Sequence, residues 1–141
     1  MRFITIISFA LILGSSTAFA EDVIGRFASV TETEAVIEMV LKKDSTAELI
    51  TGYLPTEPSE VFDPYVRYGR WSKSEGLLIV KIKDLGTLRY KAMDFLPYKE
   101  FGNEGGSFGL SPKETNEEPF NRYGLWRKSD LLKHFSKRRA Q

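Results

Sequence analysis

Apolar and polar residues alternate in short runs along most of the chain, the mark of half-buried β-strands. Residues 46–54 show the period most clearly. Ala47, Leu49, Thr51 and Tyr53 share one face, with Glu48, Ile50 and Gly52 on the other. The preceding run 35–42 (AVIEMVLK) is rich in β-branched residues, and Lys43-Asp44-Ser45 supplies turn chemistry between the two, so 35–54 reads as a hairpin. Residues 23–30 form a β-rich opening, and 55–64 carry three prolines and three acids, which predicts a long loop. Strands are then expected at 65–72, 77–83 and 87–93, the last with Leu88, Tyr90 and Ala92 on one face. Lys73–Gly76 and Asp84-Leu85-Gly86 provide the turns. Glycines and prolines punctuate 97–119, leaving room only for short strands near Tyr98–Phe101 and Ser107–Leu110, and 122–127 reads as a last strand. Ser129 has the character of a helix N-cap, followed by Asp130, an apolar stripe of Leu131, Leu132 and Phe135, and a cationic end. The fold class expected is therefore all-β: a small meander antiparallel β-barrel, lipocalin-like, with a short C-terminal α-helix.

The first residues follow a different pattern. Met1-Arg2 is a short cationic start, Phe3 to Leu13 is apolar apart from Thr5 and Ser8, and Ala18-Phe19-Ala20 is a small-x-small cleavage site. The apolar run is shorter than the roughly 20 residues a membrane span needs. The expected organisation is a cleaved signal peptide at 1–20, a barrel domain at 21–128, and a basic helix or tail at 129–141. The compartment is then the periplasm or the exterior, with no transmembrane segment after cleavage.

Composition narrows the function. The chain has 20 Lys+Arg and 19 Asp+Glu. Without residues 1–20 the balance is neutral, which argues against nucleic-acid binding through bulk positive charge. Absence of cysteine excludes disulfides, thiolate metal sites and a Cys nucleophile, and the single histidine, His134, excludes any site that needs two imidazoles. The acidic groups Glu32/Glu34/Glu38, Glu57/Glu60/Asp63 and Glu114/Glu117/Glu118 match no calcium-loop spacing and read as solvated loops. Residues 21–119 carry 12 bases against 18 acids, whereas 120–141 carry seven bases against Asp130. The basic end suits contact with an anionic surface, or pairing with the acidic barrel itself.

A Gly-x-aromatic opening (Gly25-Arg26-Phe27), a hairpin carrying LKKDSTAEL, a Tyr before a Pro/Glu loop, YGRW, LLIVKI and later MDFLPYKEFGNEGGSFGL stand in a familiar order over residues 24–110. This order resembles the N-terminal barrel domain of NlpE-type copper-resistance envelope lipoproteins. Those proteins carry a lipidated N-terminal Cys and a Cys-x-x-Cys motif. Here the corresponding connection, Val30 to Val36, has no sulfur, so lipid anchoring, redox sensing and thiolate copper binding do not carry over. The resemblance implies a small lipocalin-like barrel acting in the cell envelope.

Gly69-Arg70-Trp71 is the most distinctive triplet. In lipocalin-like barrels a Gly-x-Trp closes one barrel end beneath a late basic side chain, and Arg127 beside Trp126 is placed to supply one. Tyr68, Arg70, Trp71, Trp126 and Arg127 are thus candidates for lining a ligand cavity or for plugging the barrel. Glu57, Glu60 and Asp63 are candidates for a loop that meets a partner. The expected function is non-catalytic, with no cofactor and no metal: binding a small apolar ligand or another envelope component. The alternative is a periplasmic inhibitor or immunity protein that blocks a toxin or hydrolase.

Overall fold

The computed structural model describes residues 23–29, 31, 33–95 and 107–132. The signal peptide expected at 1–20, Glu32, the strand expected near Tyr98–Phe101, and the tail 133–141 with His134 and Phe135 lie outside the described residues. Eight strands follow in order: β1 Gly25–Ala28, β2 Ala35–Leu41, β3 Thr46–Tyr53, β4 Tyr65–Ser74, β5 Leu77–Ile82, β6 Gly86–Phe95, β7 Ser107–Pro112 and β8 Leu125–Arg127. Each pairs antiparallel with its sequence neighbours, and β8 returns to β1, closing the barrel. One short helix, residues 128–132, follows the last strand.

Turn chemistry sets the register. Between β2 and β3 the Asp44 carboxylate accepts from the Thr46 N–H at 3.0 Å and the Thr46 hydroxyl at 2.6 Å, holding Ser45 at φ 70°. Those two bonds also favour the ionised form and lower the Asp44 pKa. Glu75 (φ 52°) and Gly76 (φ 77°) make the tight two-residue turn between β4 and β5, both left-handed as the strand twist requires.

Because side chains alternate, the register fixes which residues face inward. Met39 pairs with Leu49, Ala47 with Gly69, Trp71 with Val80, Leu78 with Tyr90, and Ala92 with Leu110. These positions, with Phe27 and Leu125, form one core cluster. Gly69 is needed there: a Cβ would sit 1.9 Å from the Lys81 carbonyl oxygen, so only a residue without one lets β4 and β5 approach.

The seam where β8 joins β1 and β7 is short, with two paired positions on each side. It is covered from outside by Trp126, Ala28 and Leu131, which form a second buried cluster, and Lys128 reaches Glu38 on β2 at 2.8 Å. The helix starts one residue earlier than the sequence predicts: Ser129 lies inside it rather than capping it. The chain passes straight from β8 into the helix, and the Lys128–Glu38 pair together with Leu131 burial fixes the first turn in place of a cap. Lys128 thereby pairs with the barrel rather than facing solvent.

Candidate functional site

The two ends of the barrel are built differently. At the end bounded by the β2–β3 and β4–β5 turns, Trp71 is buried and its indole Nε1 donates to the Lys42 carbonyl at 2.8 Å. Arg127 also faces inward here, its guanidinium over the Phe108 ring at 5.2 Å and the Phe27 ring at 5.5 Å.

The opposite end carries the β1–β2, β3–β4, β5–β6 and β7–β8 connections. A cavity of about 920 Å³ opens there, within the roughly 300–1,000 Å³ typical of small-molecule sites. Ile37, Thr51, Tyr65, Arg67, Leu85 and Phe120 line it. Ile37 and Phe120 are buried, so the inner wall is apolar.

Two local features hold this mouth in shape. Asn116 in the β7–β8 connection is the buried polar residue of the described chain. Its Oδ1 accepts from the Arg89 N–H at 2.7 Å, and its Nδ2 donates to the Arg89 carbonyl at 2.9 Å and the Phe120 carbonyl at 3.4 Å. The side chain adds one rung to the β6 ladder where β7 has ended, and it presses Phe120 onto the core. On the other side, Phe62 packs over Gly52, where a Cβ would come within 3.2 Å of the ring. This holds the 54–64 loop against β3.

Arg67 is the cationic side chain among the residues lining the cavity. It pairs with Leu49 across β3–β4 and therefore faces the interior, one step from the Tyr65–Thr51 pair at the rim. Its guanidinium lies 5.1 Å from the Tyr65 ring. Its Nε is buried and meets no hydrogen-bond acceptor among the described residues, nor does Arg67 form an ion pair there. Arg67 as a whole is partly buried, and as the cation of the lining its guanidinium is the group there suited to an acceptor. Asp63, Glu117 and Glu118 also border the cavity, all exposed, and Glu118 is held by Arg122 at 2.7 Å.

The structure divides the five residues expected to form one cavity or plug. Trp71 and Arg127 face inward at the end of the β2–β3 and β4–β5 turns, where Trp71 joins the core cluster. Tyr68 pairs with Glu48 and is 62% exposed, and Arg70 pairs with Thr46 and Lys81 on the same outer face. Trp126 also points outward, beneath the helix. None of the five borders the open mouth. The correction follows from strand geometry: Tyr68 and Trp71 are three residues apart, and an odd separation puts them on opposite faces. Of the loop acids, Asp63 borders the cavity, while Glu57 and Glu60 are exposed on the 54–64 loop. The inside phase of β4, counted back by twos from Trp71, leads to Gly69, Arg67 and Tyr65, and this signal was present in the sequence.

Among the described residues no three metal-ligating side chains converge, and no helix is long and apolar enough to cross a membrane. Comparison of the chain with protein families, with curated proteins and with solved structures returns no match, so what the site does is argued from its geometry.

Proposed function

We infer that the protein is a non-catalytic, exported binding barrel that takes a small apolar molecule into the open mouth. The observation that carries this reading is the cavity itself, which opens at one end of the barrel over a wall of Ile37, Leu85, Phe120 and the Tyr65 ring. Such a wall gains free energy by covering apolar ligand surface, roughly 25 cal/mol per Å² removed from water. The resemblance to NlpE-type envelope barrels and the signal-like first 20 residues support the same compartment and the same class of role. The test is titration of the purified protein with the neutral fluorophore N-phenyl-1-naphthylamine. Saturable fluorescence enhancement is expected, lost when Phe120→Asp places a charge in the wall. Absence of saturable binding to the folded protein would overturn the reading.

A second reading rests on the loop beside the mouth. Val61, at 87% exposure, and Tyr53, at 76%, stand with Glu57, Glu60 and Asp63 on the same rim. The described residues of the four mouth connections carry eight carboxylates and three cations. An exposed apolar and acidic crown on a rigid barrel suits an inhibitor or immunity protein that meets a cationic site on a toxin or hydrolase. Charge reversal at Glu57 and Glu60, which lie outside the cavity lining, would weaken such a complex and leave fluorophore binding intact.

A further inference from the structure

We propose that Arg67 makes this cavity a site for an amphiphile bearing a carboxylate, with the acid head buried against the guanidinium and the apolar chain along the Ile37, Leu85 and Phe120 wall. The inference rests on the small-molecule reading above and adds the chemistry of the ligand's head. Three observations carry it. Register places Arg67 inside, level with the fully buried Leu49, rather than in solvent. Its Nε is buried without an acceptor, and no carboxylate among the described residues pairs with it. It also borders the open cavity beside apolar side chains. The guanidinium presents parallel N–H donors whose spacing matches the two oxygens of a carboxylate.

The other interior arginine sharpens the contrast. Arg127 lies between two aromatic rings, with Gly25 opposite its Nη1, and no part of the described cavity reaches it. Arg67 has one ring, Tyr65, and borders that cavity.

The rim acids oppose this assignment, and their position decides the contest. Asp63, Glu117 and Glu118 are exposed to water, and Glu118 is already paired with Arg122. A charge pair near a protein's interior is roughly fourfold stronger than the same pair in bulk water. The acids therefore slow the approach of an anion, most visibly at low salt, while Arg67 sets which head is retained.

The experiment compares decanoate, 1-decanol and decylammonium as competitors of N-phenyl-1-naphthylamine on the full protein, at low and physiological salt. Decanoate is expected to compete at least about tenfold better than 1-decanol, the margin of one charge-assisted bidentate contact. Arg67→Met should erase that margin, read as the ratio of decanoate to 1-decanol competition, and Arg67→Lys should keep only part of it. Equal competition by decanoate and decanol, or preference for decylammonium, overturns the carboxylate assignment while the apolar cavity stands. Failure of the fluorophore and all three compounds to bind overturns the cavity reading itself. The wild-type comparison decides the matter even if Arg67→Met does not fold.

Discussion

Asn116→Ala should loosen the mouth of the barrel and destabilise the whole domain by about 2 kcal/mol. The magnitude follows from the bonds removed. Truncation deletes the acceptor 2.7 Å from the Arg89 N–H and the donor 2.9 Å from the Arg89 carbonyl. The carbonyl keeps a bond from the Lys113 N–H at 3.0 Å, but the Arg89 amide is left without a protein partner. A stranded buried amide costs about 1–3 kcal/mol, and the 3.4 Å contact to the Phe120 carbonyl is weak enough to add little. For a domain of this size, 2 kcal/mol lowers the Tm by about 6–10 °C. Urea denaturation followed by far-UV circular dichroism would read the change as a lower midpoint at constant slope. Fluorophore affinity should fall in parallel, because Phe120 and its neighbours form one cavity wall. Asn116→Asp refines the test. It keeps the acceptor for the Arg89 N–H but turns an anionic oxygen toward the Arg89 carbonyl. Folding then favours the protonated carboxyl, so this variant should regain stability relative to wild type as pH falls below about 5. An Ala variant within about 0.5 kcal/mol of wild type, the range of an ordinary surface change, would refute the account of this loop.

Three further outcomes follow from the barrel. Gly69→Ala should destabilise by about 3 kcal/mol, since its Cβ would overlap the Lys81 backbone and the strands cannot part without moving Trp71; an unchanged urea midpoint contradicts this. Burial raises the Tyr90 phenol above its ordinary value near 10. The folded state thus keeps a proton that the unfolded state releases, and stability from this group, complete below pH 10, falls by about 1.4 kcal/mol per pH unit above it. Tyr90→Phe should show a flatter decline between pH 9 and 11 in paired denaturation curves, and identical slopes would count against it. Leu131→Ala should cost about 2 kcal/mol by opening the outer cluster over the seam. The β8 amides should lose hydrogen-exchange protection first, whereas uniform loss across all strands contradicts the seam account.

Much of the fold was legible because alternation is a two-residue signal that survives at single-sequence level. The β2–β3 hairpin, its Asp44 turn and the Leu88/Tyr90/Ala92 face all appear where the pattern puts them. The seventh strand starts at Ser107 as expected and continues two residues farther, to Pro112. Legibility failed where function depends on side-chain direction. YVRYGRWS carries aromatic and basic residues on both faces, so hydrophobicity alone does not tell inside from outside. Chemical distinctiveness groups sequence neighbours, whereas only every second residue shares a face, and it does not single out Arg67. Asn116 was invisible for another reason: its partner, Arg89, lies 27 residues away, and no local pattern encodes that bond.

The difference between the two barrel ends follows from what fills them. At the end of the β2–β3 and β4–β5 turns the described inward positions include Trp71, Phe27, Phe108, Leu41 and Arg127, large side chains whose polar groups meet the Lys42 carbonyl and aromatic rings. At the mouth, the inward positions shrink or turn polar: Ala35, Thr51, Tyr65 and Arg67. An eight-stranded barrel is just wide enough to be filled by its own side chains or to admit one small molecule. Continuing the large residues to the mouth would have filled it. Instead two long connections, 54–64 and 113–124, are held to the strands by Phe62 over Gly52 and by Asn116 on Arg89, supporting the rim without filling the space within. A rim held open around an interior charge without a partner runs against stability, since Leu in place of Arg67 would complete the core. The cost becomes intelligible if occupancy of the mouth, rather than closure, is what the barrel is for.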